Sequence, residues 1–142
     1  MSEFQIAAKA FIVSPKGQLL LYKKNIEEAW DLPGGVLAQG ENPISGLQKL
    51  VHEQIGLDIE ILLPLDVQHF IGTNGKNTTL LIFLVQSGNT NIDLNGSGAQ
   101  HEWTSVDENN SDLPKWLMPA IKNYSSIQFN QIVKYIDRGN QM

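Results

Sequence analysis

The sequence contains no cysteine, and only one of its ten basic residues, Arg138, is an arginine. The first absence removes a disulfide scaffold, a thiol nucleophile and any Cys-ligated zinc or iron–sulfur site. The second stands against 15 acidic residues and a formal net charge of −5. It excludes a broad nucleic-acid-binding face, because phosphate-backbone recognition needs clustered cations. Three scattered histidines do not supply a multi-histidine zinc site. Apolar runs such as 80–85 are far too short to span a bilayer, so no membrane partner is expected. The opening MSEFQIAAKAF lacks a basic region followed by an apolar signal core, and a cytoplasmic location is the expectation.

What is present is ordinary for a globular chain: 142 residues, 42% hydrophobic and 18% charged, with 12 Gly and 6 Pro. That length corresponds to about one domain, here 1–142, able to bury roughly two-thirds of its extended surface without a staple. Residues 4–14 read as a strand with Phe4, Ile6, Ala8, Ala10 and Ile12 on one face, and Pro15-Lys16-Gly17 as a turn. Residues 18–23 read as the returning strand of a hairpin. Asn42-Pro43 is a strong helix start, and Gly56 a good left-handed stop. Between them Ile44, Leu47, Val51 and Ile55 repeat at helical spacing, which leaves Glu53 on the exposed side. Two strands are expected over 57–62 and 65–71, broken at Pro64, then a turn over 72–76 and an apolar strand over 77–86. A long polar loop over 87–100, with a short strand at 91–94, precedes a strand over 102–106 and a loop over 107–112. Two short helices, over 114–123 and 127–137, close a mixed α+β domain.

The chemistry is concentrated in residues 30–57, WDLPGGVLAQGENPISGLQKLVHEQIGL. Five residues separate Gly35 from Glu41, and seven more lead to Lys49-Leu50-Val51-His52-Glu53-Gln54-Ile55-Gly56-Leu57. This spacing resembles the Nudix box, in which Gly, five residues, Glu and seven residues precede Arg-Glu-apolar-X-Glu-Glu-X-Gly-apolar. Gly35, Glu41, Val51, Glu53, Gly56 and Leu57 match in kind, and Lys49 stands for Arg. Leu50 and Gln54 each stand where the family has Glu. The likeness extends to the approach Trp30-Asp31-Leu32-Pro33-Gly34, to Leu19-Leu20-Leu21-Tyr22-Lys23-Lys24, and to His101-Glu102-Trp103. It implies a Nudix-like α/β/α sandwich around a mixed β-sheet, with the box as strand, loop and helix.

Cleaving a diphosphate with water at neutral pH requires charge neutralisation and an activated nucleophile, both of which Mg²⁺ or Mn²⁺ supplies. Hard cations take oxygen ligands, so convergent carboxylates are needed, and helix positions three and four apart share a face. The Gly34-Gly35 pair lets backbone approach a ligand closely. The resemblance places the family's metal-binding carboxylates at Leu50, Glu53 and Gln54, so one of three survives. Weak metal binding is therefore expected, through Glu53 with Glu41, the Gln54 carbonyl and Glu102 as helpers.

Each of these residues has a plainer reading. Glu53 is a metal ligand and catalytic group, or a solvated helix carboxylate. Glu41 is the loop-fixing partner of Lys49, or a ligand. Gln54 is a surface amide or a weak ligand. Leu50 is added packing or a substrate contact, and His52 a surface histidine or a base. Glu102 is a catalytic carboxylate or an ordinary strand residue. One of Lys23 and Lys24 meets a diphosphate, or both serve solubility. Trp30 and Phe70 stack on a base or pack at the rim, Trp103 is core, and Lys9, opposite the Phe4/Ile6/Ala8 face, is an ordinary strand lysine or points into a pocket. Three functions follow. The first is a weakened, metal-dependent hydrolase of a nucleoside diphosphate linked to another group. The second is a Nudix-fold nucleotide-binding or regulatory module without catalysis. The third is an interaction domain with no nucleotide role. The resemblance places substrate specificity in the loops over 72–77 and 87–100 and leaves a homodimer open.

Overall fold

The computed structural model describes residues 3–127. Beyond its first residue, the helix expected over 127–137 lies outside them. Six strands and two helices follow in the order β1 (Phe4–Ile12), β2 (Gln18–Lys23), β3 (Gly34–Val36), α1 (Pro43–Ile55), β4 (Ile59–Ile71), β5 (Asn77–Ser87), β6 (Gln100–Ser105) and α2 (Met118–Ser126). A 3₁₀ turn, Lys115–Leu117, leads into α2, so the helix expected over 114–123 begins later and ends later.

The main sheet has the order β3-β1-β5-β4. β1 runs parallel to β5 and antiparallel to β3, and both of its edges are therefore occupied. This corrects the expected hairpin. β2 cannot add to β1 and pairs instead with β6 in a separate two-stranded sheet; next to the turn after β1, Val13 and Leu19 form an isolated bridge and Ser14 donates to the Gln18 carbonyl. The expected break at Pro64 is corrected as well. β4 is a single edge strand that passes through Pro64, with register shifts between Ile61 and Leu63 and between Pro64 and Asp66. An edge strand tolerates proline because its outward N–H need not join a ladder. Residues 91–94 form no strand.

The sheet layer is covered on both faces. On one, Ala7, Phe11, Leu19, Leu21, Leu80 and Ile82 pack with Leu117, Ala120 and Ile121 of the 3₁₀ turn and α2. On the other, Ala8, Ala10, Ile12, Leu20 and Val85 pack with Leu47, Val51 and Ile55 of α1. This is an α/β/α arrangement, and it explains why β1 turns apolar side chains to both cores, Ala7 and Phe11 to one and Ala8, Ala10 and Ile12 to the other. Its first turn departs from the expected buried face: Phe4 and Ile6 are exposed, as is Ile44 at the head of the α1 stripe. α1 begins where Asn42 accepts from the Ile44 and Ser45 amides and ends at Gly56 in the left-handed region, so both boundaries match the sequence expectation.

Candidate active site

The site is organised around β3, a strand of three residues at the edge of the sheet. Ala10 donates to the Pro33 carbonyl at 2.9 Å and Leu37 donates to the Ile6 carbonyl at 2.8 Å. Ladder bonds thus fall on alternate residues, and the polar groups of Gly34 point away from β1. Gln54 meets both. Its Oε1 accepts from the Gly34 N–H and its Nε2 donates to the Gly34 carbonyl, each at 2.8 Å. A buried edge that would otherwise leave a donor and an acceptor unpaired is satisfied by one amide. Neither the surface-amide nor the weak-ligand reading of Gln54 included this contact, in which its carbonyl oxygen accepts from Gly34.

The other box positions are equally informative. Leu50 is half-buried against the α1-side core, and a Cβ on Gly35 would lie 4.0 Å from its Cδ1. It is packing, as the plainer reading had it. Glu41 accepts from the Ala38 amide at 3.0 Å and folds over the start of α1, against Gly46. It fixes the loop, but not through Lys49. Among the described residues Lys9 pairs with Asp31 and His52 meets Asp58, whereas Lys49 is exposed and makes no ion pair. Glu53 is exposed on the outer side of α1. β6 pairs Glu102 with Leu21, which places it on the α2-side face, whereas α1 covers the other. The structure therefore does not bring Glu41, Glu53 and Glu102 together. Among the described residues no three His, Asp or Glu side chains form a group able to hold a metal ion. A donor set of one free carboxylate, an occupied amide and a leucine does not fit a hard divalent cation.

What the structure does assemble is a cleft of about 460 Å³ on the α2-side face, against the Gly34–Gly35 wall. Its floor is the face of β1 carrying Gln5, Ala7 and Lys9, continued onto β5 by Thr78 and Leu80, the register partners of Gln5 and Ala7. The small Ala7 leaves the space that a larger residue would fill. Lys9 makes an ion pair with Asp31 and lies 4.9 Å from the Trp116 ring, as a cation over an aromatic face. Lys24 and Phe70 stand at the rim, with Phe70 44% exposed. Gln5 donates to Thr78 Oγ1 at 3.0 Å and accepts from Asn74 at 3.3 Å, a polar corner beside Phe70.

Several expected contacts are thereby sorted. Phe70, Gly34, Gly35 and Lys9 line the cleft, and of the two lysines it is Lys24 that does so. Lys23 instead lies 4.4 Å over the ring of Trp30, and Trp30 packs on the α2-side core, so these two residues support each other. Trp103 packs on the opposite core. His52 is a surface residue bonded to Asp58 at 2.9 Å. The sequence reading singled out neither Asp31, Gln5 nor Thr78 as site residues, whereas Asn74 lies in the 72–77 loop it named. The signal for Gln5 was the second face of β1, where Gln5, Ala7 and Lys9 alternate as polar, small and charged. Away from the cleft, burial pushes the Tyr22 phenol above its ordinary pKa, with the Glu28 carboxylate adding to the shift.

Comparison with known proteins agrees with this architecture. The model of the NUDIX domain family matches residues 3–124. A MutT-like protein of Streptomyces ambofaciens is 32% identical over 56 residues, which are 39% of this chain and 36% of that protein, so the match spans about a third of the relative's length. The crystal structure of a MutT protein from Methanosarcina mazei superposes with a TM-score of 0.72 at 20% identity, covering 88% of this chain and 95% of that one. An ADP-ribose pyrophosphatase from Streptococcus suis superposes with a TM-score of 0.65 at 19% identity, covering 88% and 93%.

Proposed function

Because the chain belongs to the Nudix family, we propose that it binds a nucleoside diphosphate derivative in the Phe70–Lys24 cleft and does not support divalent-metal hydrolysis of it. The observation that carries this reading is the double hydrogen bond of Gln54 to Gly34, which spends the amide on structure at a box position where hydrolysis would need a carboxylate. The cleft supports the ligand class. Phe70 offers a stacking face, Lys24 a phosphate contact, and Gln5, Asn74 and Thr78 hydrogen-bonding groups for a base or sugar edge. The similar fold from Streptococcus suis is that of an ADP-ribose pyrophosphatase, and ADP-ribose belongs to the same class of molecule. An acidic, arginine-poor chain favours such a small molecule, encountered in the cytoplasm, over nucleic acid.

One feature favours weak hydrolysis as a second reading: Glu53 keeps its box position and is free in solvent. Calorimetric titration with ADP and ADP-ribose, in EDTA and in Mn²⁺, together with product assays on the same samples, separates the two. The proposal expects equal affinity in both buffers and no nucleotide or phosphate release. Mn²⁺-dependent turnover that disappears in Glu53→Gln would overturn it.

A further inference from the structure

The Gly34 contact has a consequence for the cleft itself. β3 is held by a neighbouring strand on one side only, and three residues of ladder are a weak anchor for a wall that a ligand must press against. α1 supplies the second anchor through two contacts on consecutive glycines. The Gln54 amide bonds Gly34, and the Leu50 side chain lies against Gly35. Both glycines line the cleft, and Gly34 is the register partner of Lys9, whose ammonium projects into it. An amide suits Gly34 because it presents a donor and an acceptor at once. A carboxylate would aim an oxygen at the Gly34 carbonyl, and an ammonium would aim a proton at the Gly34 N–H.

We propose that Gln54 is the positioning residue of this cleft: its neutral amide holds the Gly34–Val36 wall in place, so that a phosphorylated ligand binds without a divalent cation. The inference rests on the nucleotide-binding reading above. It assigns Gln54 a role at the back of the wall, with no contact to the ligand.

The test uses ADP as probe, titrated in EDTA at pH 8 and pH 5.5 into the wild type, Gln54→Met and Gln54→Glu, with each variant first shown to be folded by thermal melting. Gln54→Met keeps the shape and removes both bonds, and is expected to bind about tenfold more weakly at both pH values, a loss of about 1.4 kcal/mol. Gln54→Glu is expected to be about tenfold weaker at pH 8. Partial burial and the facing Gly34 carbonyl both disfavour the ionised form and raise the introduced carboxyl, so at pH 5.5 the variant should return to within about twofold of the wild type, because a protonated carboxyl again offers one donor and one acceptor. The ionisable groups on the elements packed against this position are Lys49, His52 and Glu53 of α1, Lys9 of β1, Glu60, Asp66 and His69 of β4, and Asp31 before β3. All are common to the three proteins, so the ratio of variant to wild type at each pH isolates the introduced carboxyl. Wild-type affinity in both variants, or a loss in Gln54→Glu of the same size at both pH values, overturns the proposal. Should the wild type bind no ADP, the nucleotide-binding reading fails, and the positioning role is decided by hydrogen exchange of the Gly34 amide. Exchange at least about tenfold faster in Gln54→Met, with the Ile82 amide unchanged, upholds it; an unchanged Gly34 rate overturns it.

Discussion

Gly34 and Ala8 stand so close across the β1–β3 ladder that a Cβ on Gly34 would lie 2.2 Å from the Ala8 carbonyl oxygen. Gly34 also has φ +130°, a conformation that residues with side chains rarely adopt. Gly34→Ala therefore meets both a collision with main chain and backbone strain. It is expected to lower the unfolding free energy by about 3 kcal/mol or more, read as a shift in urea midpoint at constant slope. Gly40→Ala is the matched control. Gly40 has φ +80° but open space around it, so strain alone should cost about 1 kcal/mol.

Phe70 sits at the cleft rim, 44% exposed, on β4 opposite Thr78. Phe70→Ala is expected to weaken ADP binding by about 1–2 kcal/mol, the worth of one aromatic–base stack, while the melting temperature falls by only a few degrees. Unchanged affinity on calorimetry would show that the base lies elsewhere.

The two adjacent lysines are expected to separate cleanly. Lys24 lines the cleft, whereas Lys23 is held over Trp30. Lys24→Ala should reduce ADP affinity severalfold and flatten its dependence on ionic strength, because a phosphate contact is lost. Lys23→Ala should leave affinity unchanged and lower stability by about 0.5–1 kcal/mol, through the lost cation–aromatic contact. Affinity measured at two salt concentrations, with melting curves, distinguishes this pattern from its reverse.

Local signals were legible in the sequence and pairings were not. The α1 boundaries follow from Asn42, Pro43 and Gly56, because caps are decided by neighbouring backbone groups. The β1–β2 hairpin failed because the edge that β2 would have used is occupied by strands distant in sequence. Glu102 shows the same limit at the site. Its position in the chain suggested a ligand, but its register with Leu21 turns it to the face away from α1. That Leu50 and Gln54 stand where the resembled motif has Glu could be read directly. The contact that Gln54 makes could not, because its partner is a main-chain group twenty residues away.

Alkaline pH supplies a test of the core that is independent of the ligand. The Tyr22 phenol is raised in the folded state, first by burial and then by the Glu28 carboxylate. Below the unfolded pKa of about 10, both states are neutral at this group and stability is unaffected. As pH rises past that value, the unfolded state ionises more readily than the folded one and stability declines. Tyr22→Phe removes the ionisation and is expected to flatten the fall in melting temperature between about pH 9.5 and 11. A slope identical to the wild type would place the sensitive group elsewhere.

The last prediction restores what the box lacks. Leu50→Glu with Gln54→Glu places two carboxylates on the α1 face that meets Gly34 and Gly35, one turn of helix apart and next to Glu53. That supplies the oxygen donors a divalent cation needs. It also removes the half-buried Leu50 from the core and exchanges the amide of Gln54 for a group that repels the Gly34 carbonyl. The apo double variant should consequently be about 2–4 kcal/mol less stable than the wild type. Mn²⁺ should recover part of that loss by binding the folded state, so its melting temperature should rise with metal concentration while that of the wild type does not. Equal Mn²⁺ shifts in the two proteins would mean that the introduced carboxylates do not converge, or that the wild type already holds the ion. A calorimetric Mn²⁺ titration of Glu53→Gln in the wild-type background tells those two cases apart.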